Sequence, residues 1–379
     1  MHQSHLRNYI QNNVLTSLET AEILNLSRQR ITALVKEGEL QPVKTTTQGM
    51  LFLRVDVEAY KKEKDHRNRI YRINRPEPLY DNSGTTNKSL HFFKEHFDEI
   101  DEVSEIFIYF DEIDAAVDNF YIESDLARYG HLRRVDTPHF ILRSKNDTEI
   151  WLGGANCGYG GEGPGGSRRI LGMLRDSNKI KNFNYSDEDL RELLYSRVVK
   201  IITDYEGNIE VFNHKSLINE GVRDGFFDIS ADLYLFENDL VLLQDANPIW
   251  SRRDTNPIAV LKKYMAFVPN PVEVIIFQSD ENAKEYGYIA FDTISGHEQV
   301  YRLIIKDTSG RQIWLCPYIE DDIPLNNQPN LSEILGLCGF DAPKEEGNNT
   351  AAALITWWNR SIRKIPPTYI EPIRLTKNQ

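Results

Sequence analysis

The sequence predicts an α+β protein, in which a small helix-and-hairpin head precedes a duplicated α+β body with mostly antiparallel sheets. Three observations lead there. Charge divides the chain: residues 1–76 hold 13 Lys+Arg against 8 Asp+Glu, whereas the whole chain of 379 residues carries a formal net charge of −13. A hydrophobic content of 40% with 27% charged residues supports packed cores and excludes wholesale disorder. Finally, "HFILRSKNDTEIWL" (139–152) aligns without gaps on "RLIIKDTSGRQIWL" (302–315), allowing one residue of slack at the start.

The head is read from residues 15–63, "LTSLETAEILNLSRQRITALVKEGELQPVKTTTQGMLFLRVDVEAYKKE". Thr16 followed by Glu19 starts a first helix with a capping box, and Ala21, Ile23 and Leu24 give it an apolar face. Asn25-Leu26 breaks that pattern, and Ser27 caps a second helix. There Ile31, Leu34 and Val35 sit at i, i+3, i+4, which leaves Arg28, Gln29, Thr32 and Lys36 on the outer face. Gly38 stops this helix. A hairpin follows, with a polar tip from Thr45 to Gly49, and "VDVEAYKKE" closes the unit as a third helix.

This order of helix, tight turn, helix and hairpin resembles the winged helix-turn-helix of the excisionase and MerR superfamily. The resemblance is carried by "LTSLETAEILNLS", "EGELQPVK" and "FLRVDVEAYKK" and covers about 50 residues. It implies double-stranded DNA as the partner, with the second helix in the major groove and the wing on the backbone or minor groove. By position it assigns Arg28, Gln29, Thr32 and Lys36 to bases and phosphates, and Lys44 and Thr46 to the wing contact.

The predicted organisation is a DNA-binding head at residues 1–65 and a linker at 66–90, basic at first and then bearing Pro, Asn, Ser and Gly. A first α+β lobe follows at 91–200, a connecting segment at 201–265, and a second lobe at 266–379. Two further pairs support the duplication: "ILGML" (170–174) with "ILGLC" (334–338), and "SEIFIYFDEIDAAVDNFYI" with "VEVIIFQSDENAKEYGYIAF".

Between the aligned hairpin and "ILGML", the first copy carries "GGANCGYGGEGPGGSRR" (153–169), with eight glycines in fourteen positions. The second copy carries no such run. Gly158-x-Gly160-x-x-Gly163 has the dinucleotide spacing, but no acidic strand end follows about 20 residues on, and no Gly-Lys-Ser/Thr is present. An anion or ligand loop stays open beside a purely structural one. Its candidate residues are Asn156, Tyr159, Gly160, Gly161, Glu162, Gly163, Ser167, Arg168 and Arg169. Ser167 reads as a helix N-cap, which would set both arginines unfavourably at the positive end of the helix dipole.

Other chemistry is thinner. Residues 98–125 hold eleven acidic side chains and no Lys or Arg. Asp111, Glu112, Asp114 and Asp118 read as a solvated face or as Mg²⁺ or Ca²⁺ ligands. No metal spacing joins the histidines, and no cofactor is identified. Cys157, Cys316 and Cys338 are odd in number and far apart, against a disulfide framework or a zinc module. With no apolar run of about 18 residues and no signal-peptide core, a cytoplasmic protein without membrane contact is expected. The functions expected are a transcriptional regulator or a phage or mobile-element factor, homodimeric, whose body senses a ligand or oligomerises. The alternative is a nucleic-acid-acting hydrolase of nuclease type targeted by the head.

Overall fold

The structure, a computed structural model, describes residues 10, 13–24, 31–32, 34–35, 40–46, 49–61, 77–129, 132–204, 207–222, 231–237, 239–244, 256–291, 298–317, 330–341 and 372–377. Among these, no helix is long and apolar enough to cross a membrane.

In the head, strand β1 (Val14–Thr16) leads into helix α1 (Ser17–Leu24), and strands β2 (Lys44–Thr46) and β3 (Gly49–Leu53) form the hairpin. The three strands order as β1-β3-β2. Residues 31–32, 34–35 and 54–61 are helical. Leu15, Ala21, Leu24, Ile31, Leu34, Phe52, Val57 and Tyr60 bury one common core, with Val35 packed on it. The i, i+3, i+4 stripe of the second helix therefore faces inward. The hairpin tip is tighter than the polar run suggests: Thr45 and Thr46 stay in the strand, where β-branched residues fit the pleat.

Beyond the head, the chain runs through strand β4 (Leu79–Asp81), helix α2 (Thr86–Glu95), strand β5 (Val103–Tyr109), helix α3 (Glu112–Val117) and hairpin β6–β7 (Ile122–Tyr129, Leu132–Asp136). Hairpin β8–β9 (Phe140–Ser144, Glu149–Leu152), helices α4 (Glu162–Asp176) and α5 (Asp187–Leu193) and strand β10 (Val198–Thr203) complete this pass. Strands β11 (Ile209–His214) and β12 (Ala231–Phe236) follow. A second pass has β13 (Asp239–Gln244), α6 (Pro257–Tyr264), β14 (Pro271–Ile276), α7 (Asp280–Glu285) and hairpin β15–β16 (Ile289–Phe291, Glu298–Val300). It ends with hairpin β17–β18 (Leu303–Asp307, Gln312–Leu315), α8 (Leu331–Leu337) and β19 (Ile373–Thr376).

One sheet orders as β11-β10-β5-β8-β9-β4, the other as β19-β14-β17-β18-β13-β12-β7-β6. All neighbours are antiparallel except β4 with β9 and β13 with β18, which are parallel. The two passes agree in detail. Each has a bulge near the start of its first central strand, at Val103/Glu105 and at Pro271/Glu273. Each β-hairpin turns through one left-handed residue, Asp147 in the first and Gly310 in the second. After α3 and α7 the chain reverses through Asn119 and Gly287, with Phe120 N bonding Ala115 O and Tyr288 N bonding Ala283 O.

Packing divides the chain into two compact units, Met1–Phe110 with Pro138–Lys215, and Asp111–Thr137 with Ser216–Gln379. In the first, one face of the sheet packs Ile106, Ile108, Leu142, Ile150 and Val199 against Phe93 of α2 and Ile170, Leu171 and Leu174 of α4. In the second, Val274, Ile276, Leu303, Ile305 and Leu315 pack against α6 and α8, and Phe277, Tyr288, Tyr301 and Trp314 fill the opposite face.

A partly buried ionic group distinguishes the first pass. Arg143 bonds Glu105 and Glu149, each at 2.8 Å, and Trp151 Nε1 donates to Glu149 Oε1 at 2.6 Å. The matching places in the second pass hold Lys306, 3.8 Å from Glu273, and Gln312, whose Oε1 accepts from Trp314 Nε1 at 2.9 Å. Removing one partner of a buried pair strands the other charge. Arg143→Leu should therefore cost about 3–5 kcal/mol in urea unfolding. Lys306→Leu, at a more open and longer pair, should cost about 1 kcal/mol or less. Equal losses would contradict this ranking.

Candidate nucleic-acid interface

In the head the capping box closes as its residues dictate. Thr16 N and Oγ1 donate to Glu19 Oε2 at 2.7 and 2.8 Å, and Glu19 N donates back to Thr16 Oγ1 at 3.3 Å. The Thr16 amide and then its hydroxyl, with help from the Arg54 charge, hold the Glu19 carboxyl below its ordinary range. Ser17 makes the joint between helix and wing: its Oγ donates to Met50 O at 3.1 Å and accepts from Met50 N at 3.3 Å. The hydroxyl continues the β1–β3 ladder where the backbone has turned into α1. Nothing in the sequence marks Ser17 for this role, because its partner lies across the sheet.

Thr32 is helical and exposed, and Lys44, Thr45 and Thr46 are exposed along β2. Thr46 Oγ1 donates to Gly49 O at 2.8 Å and steadies the tip. Arg28, Gln29 and Lys36, with the caps Ser27 and Gly38, lie outside the described residues. What is described is a helix exposed at Thr32 and, on β2, an exposed wing edge that carries the Lys44 side chain, residue types that suit phosphate and base-edge contact.

The glycine loop lies in the first unit, between β9 and α4. Its helix starts earlier than the sequence suggests: Gly161 is the cap and Glu162 the first helical residue. Ser167 is not an N-cap but lies inside the helix, buried, its hydroxyl donating to Asn156 O at 2.7 Å. Pro164 is tolerated because first-turn amides lack helical partners in any case. Arg168 and Arg169 therefore sit well inside α4, and the expected clash with the helix dipole lapses.

Close packing accounts for much of the glycine. A Cβ on Gly154 would fall 2.2 Å from the Thr85 carbonyl carbon, and one on Gly163 would fall 2.0 Å from Asn156 Oδ1. Several of the loop's polar groups turn to the chain itself, although Asn156 Oδ1 is buried without a hydrogen-bond partner. Gly153 N donates to Asp81 O and Gly154 N to Ser89 Oγ, both at 2.9 Å, while Ser89 donates to the Asp81 carboxylate. Thr86 Oγ1 donates to Gly154 O at 2.9 Å. The structure thus brings Asn156, Gly163 and Ser167 together. Tyr159 lies against Phe110 with ring centroids 5.9 Å apart, and the Arg197 guanidinium covers Phe110 at 3.8 Å. Gly160, Gly161, Glu162 and Arg169 are exposed and Arg168 is half-buried. Cys157 is fully buried, with its thiol on the Arg197 and Ile108 carbonyls, which suits packing rather than attack.

The acidic run divides by role. Asp111 caps α3 by accepting from Ile113 N at 2.9 Å, Glu112 is exposed, and Asp114 is buried. Among the described residues, no group of three or more His, Cys, Asp or Glu side chains could hold a metal ion.

The described residues of the head are a small helical core closed by a three-stranded sheet with an exposed hairpin edge. Residues 14–65 match the family model of the helix-turn-helix domain. That domain indicates DNA binding. The comparisons with curated proteins and with solved structures returned no match.

If packing explains the glycines, two substitutions should part company. Gly154→Ala meets backbone and should lower the stability of the first unit by about 2 kcal/mol or more. Gly165→Ala has open space around it and lies in a helix, so it should stabilise by about 0.5–1 kcal/mol. Thermal or urea unfolding of the two variants decides the matter, and a harmless Gly154→Ala would contradict the packing account.

Proposed function

We propose that the protein is a DNA-binding regulator, or a factor of a phage or mobile element, in which the head reads duplex DNA and the body senses a ligand or oligomerises. The observation that carries this reading is the helix-turn-helix match, together with the inward Ile31–Leu34 stripe that leaves Thr32 and the Lys44 edge outward. Phosphate contacts give sequence-independent affinity and its salt dependence, whereas base contacts give discrimination of roughly 1–3 kcal/mol per good pair. Arg28 and Gln29, which the sequence pattern assigns to the second helix, take the base-reading role, and Lys44 takes phosphate.

A site selected from random duplexes tests this. Arg28→Ala should weaken binding to the selected site more than to random DNA. Lys44→Ala should weaken both about equally and lower the salt slope by about one. A chain lacking residues 1–76 that bound DNA as well as the whole protein would refute the reading.

We infer further that the body is a duplication. The matching bulges, turns and element order support it, as do the aligned β8–β9 and β17–β18 segments. A single head reads a half-site of a few base pairs, and specific operators usually need two. The protein is accordingly a homodimer joined through the body. Light scattering on the full chain at micromolar concentration should give twice the monomer mass, with or without DNA, and a monomer mass in both would sink the proposal.

A further inference from the structure

We propose that Asp114 is a proton-operated latch: its neutral carboxyl joins helix α3 to the turn at Ser216–Leu217, and loss of the proton loosens that join. Asp114 is 3% exposed, although it belongs to a segment rich in acidic residues. Its Oδ1 accepts from Leu217 N at 2.8 Å across a long sequence separation. Its Oδ2 is buried and has no hydrogen-bond partner. A charge placed there would be held away from solvent with only the Leu217 amide and the Ser216 hydroxyl against it, and a poorly paired buried charge is disfavoured.

The surroundings add to this. The charges acting on the carboxyl are Asp111 and Asp118 of the same stretch, both of like sign. The facing segment supplies the Ser216 hydroxyl and the Leu217 amide, and its charged residues Lys215 and Glu220 are exposed. Helix α6 meets this segment through Lys263 O, which accepts from Asn219 N, and the Lys263 ammonium lies 5.2 Å over the Tyr264 ring. Burial first, and then the two like charges, outweigh the Leu217 and Ser216 bonds and push Asp114 up to about 7.

The second pass offers an independent comparison. α3 and α7 begin at the side-chain caps Asp111 and Ser279 and reverse at Asn119 and Gly287. In that frame the place of Asp114 is taken by Asn282, fully buried and incapable of charge. Both passes keep a polar group at this position, and only the first makes it titratable.

The sign follows from linkage. An acid whose pKa is raised in the closed state holds a proton there that the open state has already lost. Between the ordinary carboxylate range and about pH 7, closure therefore weakens as pH rises, and above that window it stays weak. Hydrogen exchange of the full-length protein, corrected for intrinsic rates, reads this at the Leu217 amide. Protection should fall by roughly tenfold or more between pH 5 and pH 8 in the wild type. Asp114→Asn should hold it constant. Should that variant not fold, Asp111→Asn with Asp118→Asn keeps the cap and removes the repulsion, so the fall should shrink. Equal protection at both pH values in the wild type would overturn the latch. So would the wild-type fall persisting undiminished in either variant.

Discussion

The body is organised around one constraint: each of its two large sheets contains a single parallel contact. Strands that run parallel must leave at the same end, and here each exit leads into a helix. β4 feeds α2 and β9 feeds α4, so two turns and two helix starts share one edge of the sheet. The first unit meets this crowding with glycine and with its own carboxylate. Gly154 lies against the Thr85 backbone, and Asp81 gathers the Ser83 amide and the Ser89 hydroxyl. In the second unit the end of β13 carries Gln244, whose Oε1 accepts from Cys316 N at 2.8 Å and whose carbonyl accepts from Tyr301. A buried polar residue at the strand end serves both units, charged in one and neutral in the other.

This constraint explains what was legible beforehand. Patterns confined to neighbouring residues came through: the Thr16–Glu19 box, the Ile31, Leu34 and Val35 stripe, and the hairpins ending in "EIWL" and "QIWL". Local patterns did not reveal how tightly distant backbones approach. A run such as Gly163-Pro164-Gly165-Gly166 has poor helix propensity, yet it forms the first turns of α4, with Gly163 packed on Asn156 and Gly166 on Thr86 where a larger residue would collide. The helix start was misread for that reason. The strand at Val14–Thr16 is similarly short and is held by pairing to β3, far along the chain.

The two passes also show how one framework tolerates different electrostatics. Arg143, Glu105 and Glu149 form an ionic group whose partners are all needed, since burying charge is costly unless each is paired. The second pass relaxes it to a longer Lys306–Glu273 contact and replaces Glu149 with Gln312, while the indole of the following tryptophan keeps its acceptor. Asp114 and Asn282 follow the same trend. The geometry is alike in the two passes, while Glu149 and Asp114 of the first stand opposite the uncharged Gln312 and Asn282 of the second.

Charge also constrains how such a chain can hold DNA. Residues 77–379 carry 31 basic against 49 acidic side chains, so the body as a whole opposes the phosphate backbone. At physiological salt, fields between exposed charges fade over about 8 Å, which lets a basic head act locally despite an acidic body. It also means the body lends the head no sequence-independent affinity. A single small head offers few phosphate contacts, and affinity rises with their number. Under these terms the body can strengthen binding only by geometry, through holding two heads at the spacing of two half-sites. The proposed dimer is the way in which an acidic body would aid DNA recognition without touching DNA.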